Sequence, residues 1–361
     1  MKKIVIYTGY SEDCFNGFNY HEKNVGGTEI AAIALAEEFV KIGHEVYIFC
    51  ISSNPTEIFI HNGVKYIHIN YLQEFMNKTY IDEFIICRFI HVFILFTIRA
   101  KNIHLWLHDC IANPYIDGKE IYDQGIHLLN NYSKIINNIV ILSDWHKDFC
   151  KSIYYGIDYN KYKLIGNGLN ETLYNFSLST EEIKQKKIPF KFTYCSCYKR
   201  GLSICIDIIE ELQKEHPSIT LDICWYLIPD DIKQRIENNP NINFLGRLSQ
   251  PELIEQLYKT SFWFYPLIET ETYCISALQA QACGCICVAR KSSGLITTIS
   301  DRGVLIEGMS GSKEWNESVI KELKKLLNDE KLQDYYLNKG IEWAKKETWK
   351  YKSIEWDLLF N

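Results

Sequence analysis

Apolar runs of strand length alternate along the chain with stretches in which apolar residues recur at helical spacing. Two such stretches are TEIAAIALAEEFVKIG, which closes at Gly43, and SICIDIIEELQKEHP, which closes at Pro217. Strands that are apolar throughout, joined by amphipathic helices, are typical of a parallel sheet that helices cover on both faces. The pattern therefore predicts an α/β fold with strands at 4–8, 46–50, 84–88, 103–107, 139–142, 162–166, 191–197, 220–226, 242–245, 262–266, 285–289 and 303–306.

The number of strands and the length of the chain both predict two domains. The strands are too many for one open doubly wound sheet, and 361 residues exceed the size at which a single core stops growing. The break is expected in the polar, basic stretch 171–191, so that Rossmann-like domains occupy 1–172 and 173–342. The last segment, 343–361, is expected to form a helix that packs back on the first domain. Its apolar residues at helical spacing are Trp349, Ile354 and Leu358.

One segment is apolar enough to suggest a membrane span, but its uninterrupted apolar run is too short. It is FIICRFIHVFILFTIRAKNIHLWLHD, at 84–109. Charged residues interrupt it before it reaches the about 18 apolar residues that a span needs. It is predicted to form strand, helix and strand, and no transmembrane segment is expected. The opening MKKIVIYTGY is too short for a signal-peptide core, so a cytoplasmic protein is expected, and peripheral membrane contact stays open.

Composition narrows the class of protein. Hydrophobic residues at 47% and charged residues at 23% describe an ordinary globular chain, and a net charge of -6 gives no reason to expect nucleic acid as a partner. The thirteen cysteines are odd in number and lie mostly in apolar runs, so they are predicted to be structural thiols rather than disulfides. Their spacing suits no zinc site, and the alternation of Cys283, Cys285 and Cys287 predicts a strand.

In sheets of this type ligands bind at the carboxyl ends of the strands, so residues that follow strands are candidates for a site. In the first half, Gly26 and Gly27 precede a helix, where free N–H groups can meet an anion or hydroxyl. The alternative is a flexible helix start capped by Thr28. His108 and Asn167 also follow strands, although a lone histidine there is more often a satisfied loop residue. The lack of GxGxxG after the first strand argues against a dinucleotide cofactor.

In the second half, Lys199 and Arg200 follow the strand FTYCSC, where a guanidinium suits a diphosphate. The alternative is a pair of solvated loop charges. Farther along, VARKSSGLITT predicts a strand, small residues and a helix. Its residues Ser293, Gly294 and Leu295 are expected to present backbone N–H groups to a phosphate.

Between these segments, FWFYPLIETETYCI predicts a strand, an acidic loop and a helix that ends at Gly284. If the intervening residues are largely helical, Glu271 and Gln279 lie about 12 Å apart along the axis. That is about the length of a sugar–diphosphate–ribose unit, so one side chain can hold the sugar and the other the ribose. The alternative for Gln279 is a solvated helix glutamine.

Seven segments in this order resemble a known family: GGTEIAAIALAEEFVKIGHEV, WLHD, IGNGLN, YCSCYKRGL, FLGRLSQPEL, WFYPLIETETYCISALQAQACG and CVARKSSGLITTISDRGVLI. The chain resembles the retaining GT-B glycosyltransferases of family four, also called glycosyl transferases group 1, nearly end to end. The resemblance implies two Rossmann-like domains that face each other across a cleft, the first on the acceptor side and the second binding a nucleotide-diphosphate sugar.

The resemblance also implies roles for individual residues. It places Glu271 on the donor sugar, Arg200 on the diphosphate and His108 near the donor sugar, and it leaves Glu269 upstream as a loop residue. The donor contacts it implies are Gly26, Gly27, Asn167, Lys199, Thr272, Tyr273, Cys274, Ile275, Gln279, Ser293, Gly294 and Leu295. The chain departs from the family pattern in three places. Gln279 replaces the ribose-binding Glu, Thr297 stands where a Glu is common, and residues 194–197 lack a second basic group.

The implied reaction is transfer of a sugar, with retention, from a UDP- or GDP-sugar to a glycan, lipid or protein-linked acceptor. No Asp-x-Asp clamp is present, so neither a metal nor another cofactor is expected. No side chain is an evident nucleophile, which favours a same-face mechanism assisted by the donor phosphate. Three alternatives stay open: a nucleotide-sugar-binding protein without transferase activity, another GT-B activity such as epimerisation or phosphorolysis, and a scaffold without a ligand.

Overall fold

The structure is a computed structural model, and it describes residues 1–11, 13–20, 25–52, 54–113, 115–116, 119–120 and 122–361. The chain divides into two compact units. Unit 1 contains Met1–Gly168 and Trp349–Asn361, and unit 2 contains Leu169–Thr348. The divisions fall a few residues from those that the sequence suggests at 172 and 342.

Unit 1 is built on one large sheet. Its strands are β1 (Lys3–Tyr7), β2 (Glu45–Cys50), β3 (Phe59–His61), β4 (Val64–His68), β5 (Glu83–Cys87), β6 (Asn102–Trp106), β7 (Tyr115–Ile116), β8 (Lys119–Glu120), β9 (Asn138–Ile141) and β10 (Tyr162–Leu164). Its first helices are α1 (Gly27–Lys41), α2 (Leu72–Lys78), α3 (Val92–Leu95), α4 (Tyr122–Tyr132) and α5 (Asp144–Ile153). The sheet has the order β10-β9-β6-β5-β1-β2-β4-β3, and β7 pairs with β8 separately. Every pair in the large sheet is parallel except the hairpin β3–β4.

Unit 2 has a second parallel sheet. Its elements are α6 (Thr180–Gln185), β11 (Ile188–Tyr194), α7 (Leu202–Gln213), β12 (Thr220–Cys224), α8 (Asp230–Glu237), β13 (Ile242–Gly246), α9 (Gln250–Lys259), β14 (Thr260–Tyr265), α10 (Ile275–Ala282), β15 (Ile286–Arg290), α11 (Leu295–Thr298), β16 (Val304–Ile306), α12 (Lys313–Asn328) and α13 (Glu330–Ala344). The strand order is β13-β12-β11-β14-β15-β16, and all neighbours are parallel. The last helix of the chain, α14 (Trp349–Leu359), returns to unit 1.

The predicted α/β fold and all twelve predicted strands are confirmed. The central strands are mostly apolar because both faces of each sheet are buried: Ile4, Val5, Ile6 and Tyr7 of β1 are fully buried. Parallel strands bring their carboxyl ends to one edge of each sheet, and that edge is where the candidate residues lie.

The segment 84–109 forms two of these strands, as predicted, but the expected helix is short. Only Val92–Leu95 is α-helical between β5 and β6. Within the part of the chain that the structure describes, no helix is both long and apolar enough to cross a membrane.

The cysteines are free thiols, and most of them are buried. The predicted strand at 285–289 is confirmed as β15, but Cys283, Cys285 and Cys287 do not lie together in one strand. Cys283 ends α10, Gly284 follows with a positive φ of 77°, and only Cys287 lies within β15. A tight turn at Gly284 separates helix from strand, and all three thiols are buried.

Helix α14 packs on unit 1 through a face that includes Trp349, as expected, but not Ile354 or Leu358. Its buried residues are Trp349, Lys352, Ser353 and Trp356, whereas Ile354 and Leu358 are exposed. The Trp356 ring lies 5.3 Å from that of Trp106 in β6, measured between centroids. His44 and Asp357 form a further contact at 3.0 Å. Two tryptophans seven residues apart lie on one side of a helix, so they, and not Ile354, set its orientation.

This packing predicts a large difference between two substitutions in one helix. Trp356→Ala should lower the free energy of unfolding by about 3–5 kcal/mol, since it removes a fully buried aromatic side chain. Leu358→Ala, at a position 70% exposed, should change it by no more than about 0.5 kcal/mol. Urea unfolding followed by circular dichroism measures both. Equal losses would contradict the packing of α14.

Candidate functional site

The candidate site in unit 2 is built at the carboxyl ends of β11 and β14. After β11 the chain forms a single 3-10 turn, Tyr198–Arg200, which ends at Gly201 with a φ of 118°. A Cβ atom at Gly201 would lie 2.1 Å from the carbonyl oxygen of Pro266, so only glycine allows the two loops to meet. This contact carries Arg200 to the acidic loop that follows β14.

Arg200 lies between two carboxylates. Its Nη1 donates to Oε2 of Glu271 at 2.8 Å, and its Nε lies 3.3 Å from Oε2 of Glu269. Burial lowers the pKa of Arg200, but Tyr265 and the two carboxylates more than offset that effect, so the pKa is raised and the guanidinium keeps its charge. Glu271 is the more buried partner, with 18% of its side chain exposed against 50% for Glu269. Glu269 is a loop residue, as expected, but it belongs to this cluster.

The loop after β15 holds the backbone of Glu271 in place. The Glu271 N–H donates to Oγ of Ser293 at 3.0 Å, and the Gly294 N–H donates to the Glu271 carbonyl at 2.7 Å. A Cβ at Gly294 would lie 2.3 Å from the Thr272 carbonyl oxygen. The prediction that three amides here face a phosphate is therefore wrong for Gly294, and also for Leu295, whose N–H donates to Ser292. The loops pack so closely that these N–H groups are used within the protein.

Helix α10 begins directly after the acidic loop. Cys274 precedes it with φ 73° and ψ 81°, a left-handed conformation that is costly for a residue with a side chain. Among the described residues, the N–H groups of Ile275 and Ser276 have no hydrogen-bond acceptor, as is usual in a first helical turn. The helix starts too late for the predicted axial distance of 12 Å between Glu271 and Gln279, because the residues from 271 to 274 are not helical.

Gln279 is fixed within unit 2. It is 8% exposed, and its Nε2 donates to Oε1 of Gln250, in the first turn of α9, at 2.8 Å. The alternative of a solvated helix glutamine is therefore wrong. The part that Gln279 plays toward a ribose stays a prediction.

The other predicted residues of unit 2 differ in burial and in their distance from the Arg200–Glu271 pair. Thr272 and Tyr273 are buried, and the Tyr273 carbonyl accepts a hydrogen bond from the Thr298 hydroxyl. Lys199 is exposed, with its Nζ 5.9 Å from the centre of the Tyr198 ring. The structure brings Arg200 and Glu271 together but does not bring Lys199 into their ion pairs.

Sequence reasoning missed three contributors in unit 2: Tyr265, Gln250 and Thr298. Tyr265 is the last residue of β14, its hydroxyl lies 3.1 Å from Oγ of Ser196, and burial raises its pKa. Because Tyr265 ends a predicted strand, the sequence could have identified it as a candidate site residue. The hydrogen bonds of Gln250 and Thr298 join segments distant in sequence and had no such signal.

The candidate residues of unit 1 lie at the carboxyl edge of the other sheet. Gly26 immediately precedes α1, and no side chain caps this helix, so the expected cap by Thr28 is wrong; Thr28 is buried instead. Gly26 and Gly27 are exposed. Asn167 follows β10 and is buried.

His108 follows β6 and is buried, with its ring centroid 4.3 Å from that of Trp106. Burial lowers its pKa well below the usual value, and the neighbouring Arg88 and His146 lower it further. The imidazole is therefore neutral near pH 7. Throughout the described ranges, His, Cys, Asp and Glu side chains form no group of three or more that could hold a metal ion.

The fold of the chain, and part of its sequence, are similar to those of known proteins. Residues 196–343 match the family described as "Glycosyl transferases group 1". No curated protein sequence matches the chain. Its fold is similar to that of sucrose-phosphate synthase from Thermosynechococcus elongatus, with a TM-score of 0.75 at 12% identity over 100% of this chain and 98% of that one.

Two further structures are similar over almost their full lengths. HepE from Anabaena, in complex with UDP, gives a TM-score of 0.69 at 15% identity, covering 99% of each chain. The catalytic domain of starch synthase IV from Arabidopsis thaliana, bound to ADP and acarbose, gives 0.70 at 10% identity, covering 99% of this chain and 98% of that one. The chain therefore has the GT-B fold, and its residues 196–343 are similar to the glycosyl transferases group 1 family.

Proposed function

We propose that the protein is a retaining glycosyltransferase that moves a sugar from a nucleotide-diphosphate sugar to a glycan, lipid or protein-linked acceptor. The observation that carries this proposal is the Arg200–Glu271 ion pair at 2.8 Å. It lies at the carboxyl edge of a parallel sheet, inside the segment that matches the family. Similar structures contain UDP or ADP, which supports a nucleotide donor.

Arg200 can serve a diphosphate without losing Glu271. An arginine side chain carries five N–H donors, and the two carboxylates contact only Nη1 and Nε. The donors that Tyr265 and the two carboxylates leave unused suit phosphate oxygens, which the fork-shaped guanidinium matches in geometry. Glu269 is half exposed, so it can yield its place to a phosphate at little cost.

The first turn of α10 supplies a second source of positive potential. Its N–H groups at Ile275 and Ser276 are unused by the described residues, and the helix dipole favours negative charge at this end. Such donors stabilise charge that develops on a leaving diphosphate. Together with Arg200, these donors can offset the negative charge of the leaving diphosphate without a divalent ion. We therefore propose a metal-independent reaction without a further cofactor.

In the proposed reaction the bond between the anomeric carbon and the diphosphate oxygen breaks, and an acceptor hydroxyl forms the new bond on the same face of the sugar. The hydroxyl proton passes to the leaving phosphate, which balances the charge without a protein nucleophile. Glu271 holds the donor sugar, and Arg200 and the start of α10 hold the phosphates. The neutral His108 of unit 1 is proposed to contact the donor sugar as a hydrogen-bonding group.

A second candidate function is nucleotide-sugar binding without transfer. The observation that favours it is Gln279, which replaces the family's glutamate and donates its amide N–H to Gln250. Donor turnover separates the two functions, since a binder stabilises the complex but neither hydrolyses nor transfers the sugar.

Binding of the donor should stabilise the folded chain. At 100 times its dissociation constant, the correct nucleotide sugar should add about 2.7 kcal/mol to the free energy of unfolding, because it binds only the folded state. Thermal unfolding in the presence of UDP-, GDP- and ADP-sugars measures this gain. The absence of any shift would end both the transferase and the binder proposals.

Turnover should depend on the charged pair. Glu271→Ala and Arg200→Ala should each lower kcat by on the order of a hundredfold, because each removes a contact that is strongest in the transition state. Arg235→Ala is a matched control, since Arg235 also lies between two carboxylates, Asp207 and Glu210, at 2.7 Å each, but on α8. Its rate should equal that of the wild type. Near-normal rates in both site variants would refute the proposed site.

The rates should also survive EDTA, because the proposed reaction uses no metal. Abolition of activity by EDTA, with rescue by magnesium or manganese, would refute the proposed site.

Gln279 should contribute to donor binding through a neutral hydrogen bond. Such a bond is worth about 0.5–1.5 kcal/mol, so Gln279→Ala should raise the donor Kd by about three- to tenfold. Gln279→Glu should bind as well or better, because a carboxylate forms the stronger bond to a ribose hydroxyl. Calorimetric titration measures the affinities, with the exposed Gln234→Ala as control. Equal Kd values for Gln279→Ala and the wild type would place this residue outside the site.

A further inference from the structure

An open cavity lies at the amino edge of the unit 1 sheet, opposite the edge that holds the candidate residues of that unit. It is lined by residues 76–81, between α2 and the start of β5, and by residues 99–101, which lead into β6. Its volume is about 500 Å³, and of the residues that line it only Met76 and Ile81 are buried. A ligand in solution can therefore reach this cavity, which belongs wholly to unit 1.

Three basic residues line the cavity: Lys78, Arg99 and Lys101. No carboxylate is among its lining residues. Arg99 and Lys101 are exposed and form no ion pair with any described residue, whereas Lys78 contacts Glu74, one turn earlier in α2, at 2.5 Å. A chain with a net charge of -6 thus carries a local group of three positive charges that its own acidic residues leave largely uncompensated.

The acidic residues that follow the cavity in the sequence have other partners. Oδ2 of Asp82 accepts a hydrogen bond from the Lys3 N–H at 2.7 Å. Glu83 is fully buried and contacts Lys2 at 3.1 Å and His104 at 2.9 Å. Neither carboxylate lines the cavity, so the start of β5 does not cancel its positive charge.

The end of α2 opposes an anion in this cavity, but only weakly. The last carbonyl oxygens of a helix together carry about half an elementary negative charge, and α2 has only 7 residues. The three full positive charges outweigh it. Further donors are available, because no described residue accepts a hydrogen bond from the N–H groups of Tyr80 and Ala100. The cavity as a whole is therefore electropositive and rich in hydrogen-bond donors.

The charges select the class of ligand. Three positive charges repel a metal cation, and a neutral ligand leaves them uncompensated. A phosphate group carries a charge of about −1.5 to −2 at pH 7 and presents three acceptor oxygens, which suits the cavity better than a carboxylate with its single charge. The planar fork of Arg99 can hold two phosphate oxygens at once, and each lysine adds a point charge.

We propose that this cavity is a binding site for a phosphate group, with Arg99 donating to two phosphate oxygens and Lys78 and Lys101 balancing the remaining charge. The phosphate can belong to a small soluble ester or to a lipid headgroup, since both present the same group. The volume of about 500 Å³ leaves room for the part of the ligand that carries the phosphate. The site uses no residue that the proposed function assigns to the donor, so it stands independently of that function.

The test is calorimetric titration of the full chain with inorganic phosphate and with glycerol 3-phosphate at constant ionic strength. The double variant Arg99→Gln/Lys101→Gln should raise the Kd of the bound phosphate by about tenfold or more, because it removes two charged contacts. The matched control Lys325→Gln/Lys331→Gln removes the same charge from exposed positions of unit 2 and should bind like the wild type. Arg200→Ala, which alters the candidate donor site, should keep this binding.

Thermal unfolding shows whether each variant is folded, which substitutions at exposed positions should leave unchanged. The proposal is overturned if neither phosphate binds the wild type, if Arg99→Gln/Lys101→Gln binds equally well, or if only Arg200→Ala loses the binding. Nucleotide sugars that stabilise the chain while this cavity takes no phosphate would leave the transferase and remove this site. Arg99-dependent phosphate binding without any nucleotide-sugar effect would do the reverse.

The two sources of the phosphate are separated by sedimentation with vesicles of phosphatidylcholine, with and without phosphatidate. A lipid source predicts that the wild type sediments with the phosphatidate vesicles and that Arg99→Gln/Lys101→Gln does not. Titration with the soluble phosphates but no such sedimentation assigns the site to a soluble ester. Sedimentation that the double variant retains, together with unchanged titrations, would overturn the site.

Discussion

Parallel hydrogen bonding of the strands is the constraint on which the rest of this molecule depends. It requires a crossover after each strand, and it brings the residues that follow the strands of one sheet to a single edge. Arg200 follows β11 and Glu271 follows β14, neighbours in the sheet, so their meeting is a result of topology. In unit 1 the same rule joins Arg88, after β5, to Asp109, after β6. Two charged sites thus arise from one architectural principle.

The strands could be predicted because burial on both faces leaves continuous apolar runs, a signal that depends on no distant contact. The hairpin of β3 and β4 was missed although Asn62 and Gly63 carry positive φ values of 47° and 80°, the signature of an Asn-Gly turn. Its edge strand is half polar and too short to show a run. The orientation of α14 was also missed, since periodicity alone cannot tell that the stem of Lys352 is buried while Ile354 is exposed.

The candidate site was predictable to the extent that it follows strand ends. Position and charge pointed to Arg200 and to the acidic loop, and the family resemblance chose Glu271 over Glu269. What they could not supply is how neighbouring loops use their own polar groups. The amide of Gly294 was available by sequence, yet it bonds to the Glu271 carbonyl, more than twenty residues away, because the loops after β14 and β15 touch. Glu269 likewise gained its partner from packing rather than from any local pattern. Tertiary structure decides which polar groups of neighbouring loops pair, and a sequence motif does not show this pairing.

The return of α14 to unit 1 has a consequence for the order of assembly. During synthesis the strands of unit 1 leave the ribosome first, but the helix that covers Trp106 follows the whole of unit 2. Unit 2 is contiguous in sequence and can close as soon as it is made, whereas unit 1 keeps an uncovered aromatic surface until α14 has been made. Unit 1 is therefore completed after unit 2, although its strands are made before those of unit 2, and a chain released before α14 is made keeps the Trp106 surface exposed.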